Sequence, residues 1–192
     1  MSCLVLDAMG VIFKSADDVA ELLIPFIAEK SGSFDEAVIQ SAYLEASLGK
    51  ISPDEFWNQV DVPAALEDEF LSRHRLNPGI TELLSEAKSK DISVWCLSND
   101  VGRWSDKIRN NLGIEEFLKG SVISGDVGIR KPDIGIYETL IQACGSRIEE
   151  ILFVDDREKN VVAARELGIE TIMFEPETGF TGAKEWMSRQ AL

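Results

Sequence analysis

Two kinds of hydrophobic pattern run along the chain. CLVL (3–6), ISVWCL (92–97), SVI (121–123), ILFV (151–154) and ETIMF (170–174) are short β-branched or aromatic runs, the form taken by strands buried on both faces of a parallel sheet. Between most of them the apolar residues recur with a helical period. GITELLSEAKSK (79–90), GRWSDKIRNNLG (102–113), IGIYETLIQACG (134–145) and NVVAARELG (160–168) each close near a glycine or a Lys/Asp turn, as helix ends do. Strands alternating with helices predict right-handed βαβ units and an α/β fold with a doubly wound parallel sheet. Reactive groups in such sheets gather in the loops at the carboxyl ends of the strands.

One stretch breaks the alternation. From Ser15 to Leu76 the period is almost wholly helical, in four segments separated by Gly or Pro: DDVAELLIPFIAEKSG, FDEAVIQSAYLEASLG, SPDEFWNQV and PAALEDEFLSRHR. Ser52 with Glu55 has the spacing of a capping box, and Pro53 suits the first helical turn. The expected organisation is an α/β core from residues 1–14 and 77–192, with residues 15–76 inserted after the first strand as a helical cap.

Composition narrows the function classes. A chain of 192 residues buries roughly 70% of its unfolded surface, enough for one domain with a modest insertion. A net charge of −15 argues against nucleic acid or an anionic membrane as partner. Any anionic substrate must then be met by a local cationic device. Cys3, Cys96 and Cys144 are odd in number and far apart, which disfavours a disulfide framework or a thiolate metal site. A reducing, cytoplasmic location is expected. No apolar run approaches the ~18 residues of a membrane span, and Asp7 interrupts the first one. Neither a signal peptide nor a membrane segment is expected.

Four polar clusters follow apolar runs. They are Asp7, then Leu97 to Asp100 (LSND), then GIRKPD with Lys131, then VDDREKN with Asp155 and Asp156. Any one could be an ordinary exit into a loop. Together, a carboxylate, a hydroxyl with an amide, an ammonium and a carboxylate pair form a site for a divalent cation and a phosphoryl group.

The order Asp7 with Gly10, Ser98 with Asn99, Lys131 with Pro132, and Asp155 with Asp156 resembles the haloacid dehalogenase superfamily, most of whose members are Mg-dependent phosphatases. GIRKPDIGIYETLIQACG, ILFVDDREKNVVAARELGIETI and the cap segment GKISPDEFW resemble the branch holding glucose-1-phosphatase-like enzymes and the phosphatase domain of soluble epoxide hydrolases. The resemblance implies a Rossmann-like core and a small phosphorylated substrate, with sugar phosphates among the candidates; either a monomer or a dimer is compatible with the sequence. It implies Asp7 as the nucleophile that forms an aspartyl phosphate, with Lys131 offsetting charge. Mg²⁺ would be held by Asp7, Asp156 and the Met9 backbone carbonyl, with Asp155 as an outer partner to water or Lys131. Ser98 and Asn99 would donate to phosphoryl oxygens.

Met9 departs from the pattern, because most phosphatases of the superfamily carry there a second aspartate that protonates the leaving group and activates water. A thioether does neither. Relatives place tyrosine (haloacid dehalogenases), alanine (phosphonoacetaldehyde hydrolases) or glycine (the glucose-1-phosphatase-like branch) at that position. Two alternatives follow: a 2-haloacid dehalogenase, or a non-catalytic binding or regulatory protein on the same fold. The doubled carboxylate speaks against a dehalogenase, as does a cap with no arginine before Arg73. His74, between Arg73 and Arg75, is expected at a solvated helix end. Phe56, Trp57, Trp95 and Trp104 are expected in packing roles. Asn160 is expected to cap its helix or orient the carboxylate loop.

Overall fold

The computed structural model describes residues 2–32 and 34–190. Its strands are β1 (Cys3–Leu6), β2 (Ser93–Ser98), β3 (Gly120–Ile123), β4 (Ile151–Asp155) and β5 (Glu170–Met173). All pair in parallel, in the order β3-β2-β1-β4-β5. β1 is central, with Leu4 opposite Val94 on one side and Leu152 on the other.

Each expected strand forms to within a residue or so, and burial on both faces explains the missing polar alternation. Leu4, Leu6, Val94, Cys96, Leu152 and Val154 pack into one core, with α5 (Ile80–Ser89), α6 (Gly102–Asn111) and α10 (Thr181–Gln190). Cys3, Val5, Leu97, Ile151 and Phe153 face a second core with α8 (Ile134–Cys144) and α9 (Glu158–Glu166). A short α7 (Ser124–Val127) and α10 were not expected from the pattern; α10 anchors itself by burying Ala183, Trp186 and Met187.

The helical stretch lies between β1 and α5: α1 (Ile24–Ser31), α2 (Glu36–Ala46), α3 (Pro53–Gln59) and α4 (Glu67–Leu71). Ahead of α1 comes a π-helical turn, Val19–Leu23. Pro25 has no N–H to give the preceding turn, and that turn is widened, with the Ile24 N–H donating to the Val19 carbonyl. The capping box at Ser52 and Glu55 forms as expected.

The chain leaves and re-enters the α/β part through paired linkers. Phe13 bridges Leu76, and the Lys14 N–H donates to the Arg75 carbonyl at 2.8 Å. Asn77 clamps the junction: its Nδ2 donates to the Gly10 and Val11 carbonyls at 2.8 and 2.9 Å. His74 corrects an expectation. It is buried, with edge contacts to Phe13 and Phe70 and a 3.0 Å contact from Nδ1 to the Leu71 carbonyl. The helix ends at Leu71, so His74 lies on the returning linker, beneath its charged neighbours.

Glu67 joins the helical stretch to α6. Its buried carboxylate accepts from Trp57 Nε1 (3.0 Å), Trp104 Nε1 (2.7 Å), Arg103 Nη2 (2.6 Å) and Lys107 Nζ (2.9 Å). Burial opposes ionisation, yet these donors outweigh it and hold the carboxyl below its usual range. Its stabilisation is therefore present above the unfolded pKa and is lost as pH falls through the folded value. Glu67→Gln turns an amide toward four donors and should cost about 3 kcal/mol. Urea unfolding at pH 7 measures that loss, and the gap to wild type should narrow at pH 3.

Candidate active site at the carboxyl ends of the central strands

The loops after β1, β2 and β4, three adjacent strands, meet at one cleft of about 410 Å³. The strand order reverses between β1 and β4, the place where open α/β sheets form a crevice. Asp7, Met9, Ser98, Asn99 and Lys131 line this cleft from the core side, and Asp18, Gln40 and Tyr43 line it from the helical stretch.

Asp7 follows directly on β1, its N–H donating to the Val154 carbonyl and its Oδ1 accepting from the Ala8 N–H at 2.7 Å. Lys131 Nζ reaches it from the loop after α7 and has three partners: Asp7 Oδ1 at 2.7 Å, Asp155 Oδ2 at 2.7 Å and the Leu97 carbonyl at 2.8 Å. Burial disfavours its charge, but the two carboxylates outweigh burial and hold it as an ammonium.

Asp155 is saturated. Besides Lys131, its carboxylate accepts from the Arg157 N–H (2.8 Å) and from Asn160 Nδ2 (3.0 and 3.1 Å). Asn160 thus orients the carboxylate loop from the third residue of α9, rather than capping that helix. Asp156 differs: its Oδ1 is buried without a hydrogen-bond partner among the described residues. Oxygens of Asp7, Asp155 and Asp156 lie within 4.8 Å of one another.

Three carboxylates thus crowd around one ammonium, with the Arg157 guanidinium acting on Asp156. Burial pushes the Asp7 carboxyl up, Asp155 and Asp156 add to this, and Lys131 opposes it. Burial and Asp155 likewise raise Asp156. A divalent cation would supply the missing charge, and the unpartnered Asp156 oxygen is the donor such an ion needs.

Ser98 Oγ also has no partner among the described residues and lines the cleft. Asn99 also lines the cleft and is engaged with the Lys131 backbone. Its Oδ1 accepts from the Lys131 N–H at 2.7 Å and its Nδ2 donates to the Lys131 carbonyl at 2.8 Å, so it positions the lysine.

Gly10 must be glycine. Its φ is +80°, and an added Cβ would stand 2.3 Å from Asp156 Oδ2. Gly10→Ala should lose more than about 1 kcal/mol to backbone strain alone, with the displacement of Asp156 added, and its urea midpoint should fall accordingly.

Several lining residues were not singled out from the sequence: Arg130, Arg157 and Lys159, and Asp17, Asp18, Gln40 and Tyr43. The three cations do flank the motif residues, inside GIRKPD and VDDREKN. The other four depend on which side of the helical stretch turns inward, and the helical period does not give that.

Comparison with known proteins places this geometry. A sesquiterpene phosphatase of Aspergillus oryzae is 29% identical over 129 residues, covering 63% of this chain and 66% of its own length. A glyceraldehyde 3-phosphate phosphatase of Methanothermobacter thermautotrophicus is 30% identical over 103 residues, covering 52% and 45%. The chain thus spans less than two thirds of either relative. A haloacid dehalogenase family enzyme of Bacteroides thetaiotaomicron, solved with magnesium and inorganic phosphate, superimposes with a TM-score of 0.80 at 20% identity, over 95% of this chain and 98% of that one. The family model for haloacid dehalogenase-like hydrolases matches residues 1–168, and the chain belongs to that family.

Proposed function

We propose that the protein is a Mg-dependent phosphatase that hydrolyses a small phosphomonoester through an aspartyl phosphate on Asp7. The observation that carries this reading is the pairing of Asp7 with Lys131 at 2.7 Å at the cleft, with a carboxylate oxygen of Asp156 within 4.8 Å of Asp7 and the Asp156 Oδ1 unpartnered among the described residues. The phosphatase names of the relatives support it.

In this reading Asp7, Asp156 and the Met9 carbonyl hold Mg²⁺, which when bound neutralises charge on the phosphoryl oxygens. Lys131 holds the Asp7 carboxylate in place and offsets its repulsion toward the substrate dianion. Asp155, fixed by Asn160, keeps that lysine charged, and Ser98 Oγ donates to a phosphoryl oxygen. Residues 1–14 and 77–192 act as the catalytic core, and residues 15–76 as a cap whose cleft-facing side chains select the substrate. No helix among the described residues is long and apolar enough to cross a membrane. Three free thiols support a cytoplasmic setting.

The carboxylate trio also weighs against a dehalogenase, since halide departure calls for no cation. Phosphate release from a panel of sugar, aryl and alkyl monoesters tests the reading. Turnover should require Mg²⁺ and stop on chelation. Inactivity toward every ester, aryl phosphates included, would leave the non-catalytic alternative standing.

A further inference from the structure

Met9 lines the cleft beside Asp7 where a proton donor is needed, and a thioether has no proton to give. A replacement must reach the same space, be shielded from bulk water, and hold a proton near neutral pH. Among the carboxyls of the cleft outside the trio at Asp7, only Asp17 and Asp18 are described, both from the start of the cap. Asp17 is exposed and its Oδ1 accepts from the Ala20 N–H at 3.1 Å. Asp18 is 6% exposed.

We propose, resting on the phosphatase reading, that Asp18 is the general acid and base of this enzyme, supplied by the cap in place of the residue that Met9 replaces. Its backbone is tied to the catalytic loops. The Gly10 N–H donates to the Ser15 carbonyl at 2.9 Å, and Arg157, next to Asp156, donates through Nη2 to the Ala16 carbonyl at 2.9 Å. Asp18 is thus two residues from a direct link to the carboxylate loop.

Its surroundings favour a held proton. Burial comes first and the neighbouring Asp17 charge second, with the Asp18 and Val19 backbone N–H groups and Arg157 opposing, and together they push the Asp18 carboxyl up to about 7. The Asp18 charge raises both the Tyr43 hydroxyl on α2 and the Asp100 carboxyl in the loop after β2, and Arg130 opposes the rise at each. Asp100 is buried, with Oδ2 unpartnered among the described residues. Two buried acids that act on one another in this way disfavour a second negative charge.

The steps balance. As an Asp7 oxygen bonds to phosphorus, the bond from phosphorus to the leaving oxygen breaks, and that oxygen takes the Asp18 proton to depart as an alcohol. Asp18, now a carboxylate, takes a proton from water as the water oxygen attacks phosphorus. The phosphorus bond to Asp7 breaks, its electron pair returns to Asp7, and phosphate and protonated Asp18 remain.

Asp18→Asn tests this on the full chain with Mg²⁺ and two esters. Alkyl phosphate turnover should fall about 10²- to 10⁴-fold. An aryl phosphate, whose leaving group needs no proton, should still give a burst of one aryl oxide per site and then slow turnover, as the phosphoenzyme waits for a base. Asp18→Glu should recover part of the alkyl rate, and Asp17→Asn, which removes the neighbouring charge, should move the fall of the alkyl-to-aryl ratio to lower pH without abolishing it. In wild type, kcat/KM for the alkyl ester relative to the aryl ester should fall as pH rises through about 7, and Asp18→Asn should remove that limb. The wild-type profile stands even if the variant folds poorly. Loss of the aryl burst along with the alkyl rate, an unaltered alkyl rate, or a flat ester ratio across pH would overturn the assignment of Asp18 while leaving the phosphatase reading intact. A wild type inactive on the aryl ester would overturn both.

Discussion

Asp7→Asn is expected to abolish turnover, by about 10⁴-fold or more, the scale on which removing the attacking group acts in enzymes with covalent intermediates. The substitution keeps the side chain's shape and removes the charge that, under the proposed mechanism, attacks phosphorus. The fold should survive. Lys131 retains Asp155 and the Leu97 carbonyl as partners, and one of three crowded negative charges disappears. Without Mg²⁺ the melting temperature should therefore hold or rise, which separates a lost nucleophile from a damaged fold. A beryllium fluoride adduct should form on the wild-type carboxylate and not on the variant. Retained turnover would exclude the aspartyl-phosphate route.

Asp7 was legible in the sequence because a strand buried on both faces carries its apolar run up to the residue where the chain turns out, so the first polar side chain marks the carboxyl end. The same reasoning located Ser98 and the Asp155–Asp156 pair, whereas Lys131 lies beyond β3 and α7 and was found through the GIRKPD cluster. The sheet order then brings the ends of β2, β1 and β4 side by side. Functional assignment within a cluster was less legible, because it depends on which donor reaches which acceptor. Asn99 and Ser98 are neighbours, yet the Asn99 amide is used on the Lys131 backbone and the Ser98 hydroxyl has no partner.

The helical stretch was legible as helix and not as a wall of the site. Its period gives a buried face for each segment, but not the partner that buries it. His74 was misplaced for that reason: two flanking arginines suggested solvent, while a linker conformation puts the imidazole against Phe13 and Phe70. Asn77 was missed for a related one. Its amide closes contacts to Gly10 and Val11, far away in sequence, and no local pattern records a contact of that range.

Asp156→Ala should remove the response to Mg²⁺ in both stability and activity. An ion that binds only the folded state adds about 2.7 kcal/mol at a concentration a hundredfold above its dissociation constant. For a chain of this size that is a rise of roughly 5 to 10 °C in melting temperature. Asp156 has a buried oxygen without a hydrogen-bond partner among the described residues. Asp155 is fully bonded and Asp7 is paired with Lys131, so neither compensates for its loss. The metal-free protein should tolerate the change, since Oδ1 forfeits no hydrogen bond and one repelling charge is removed from beside Asp155. The expected signature is a wild type that melts higher with Mg²⁺ than with chelator, and a variant whose two curves coincide near the wild-type chelated value. If instead Asp156→Ala kept the full Mg²⁺ shift, the ion would be held elsewhere, and the three clustered carboxylates would need another counterpart.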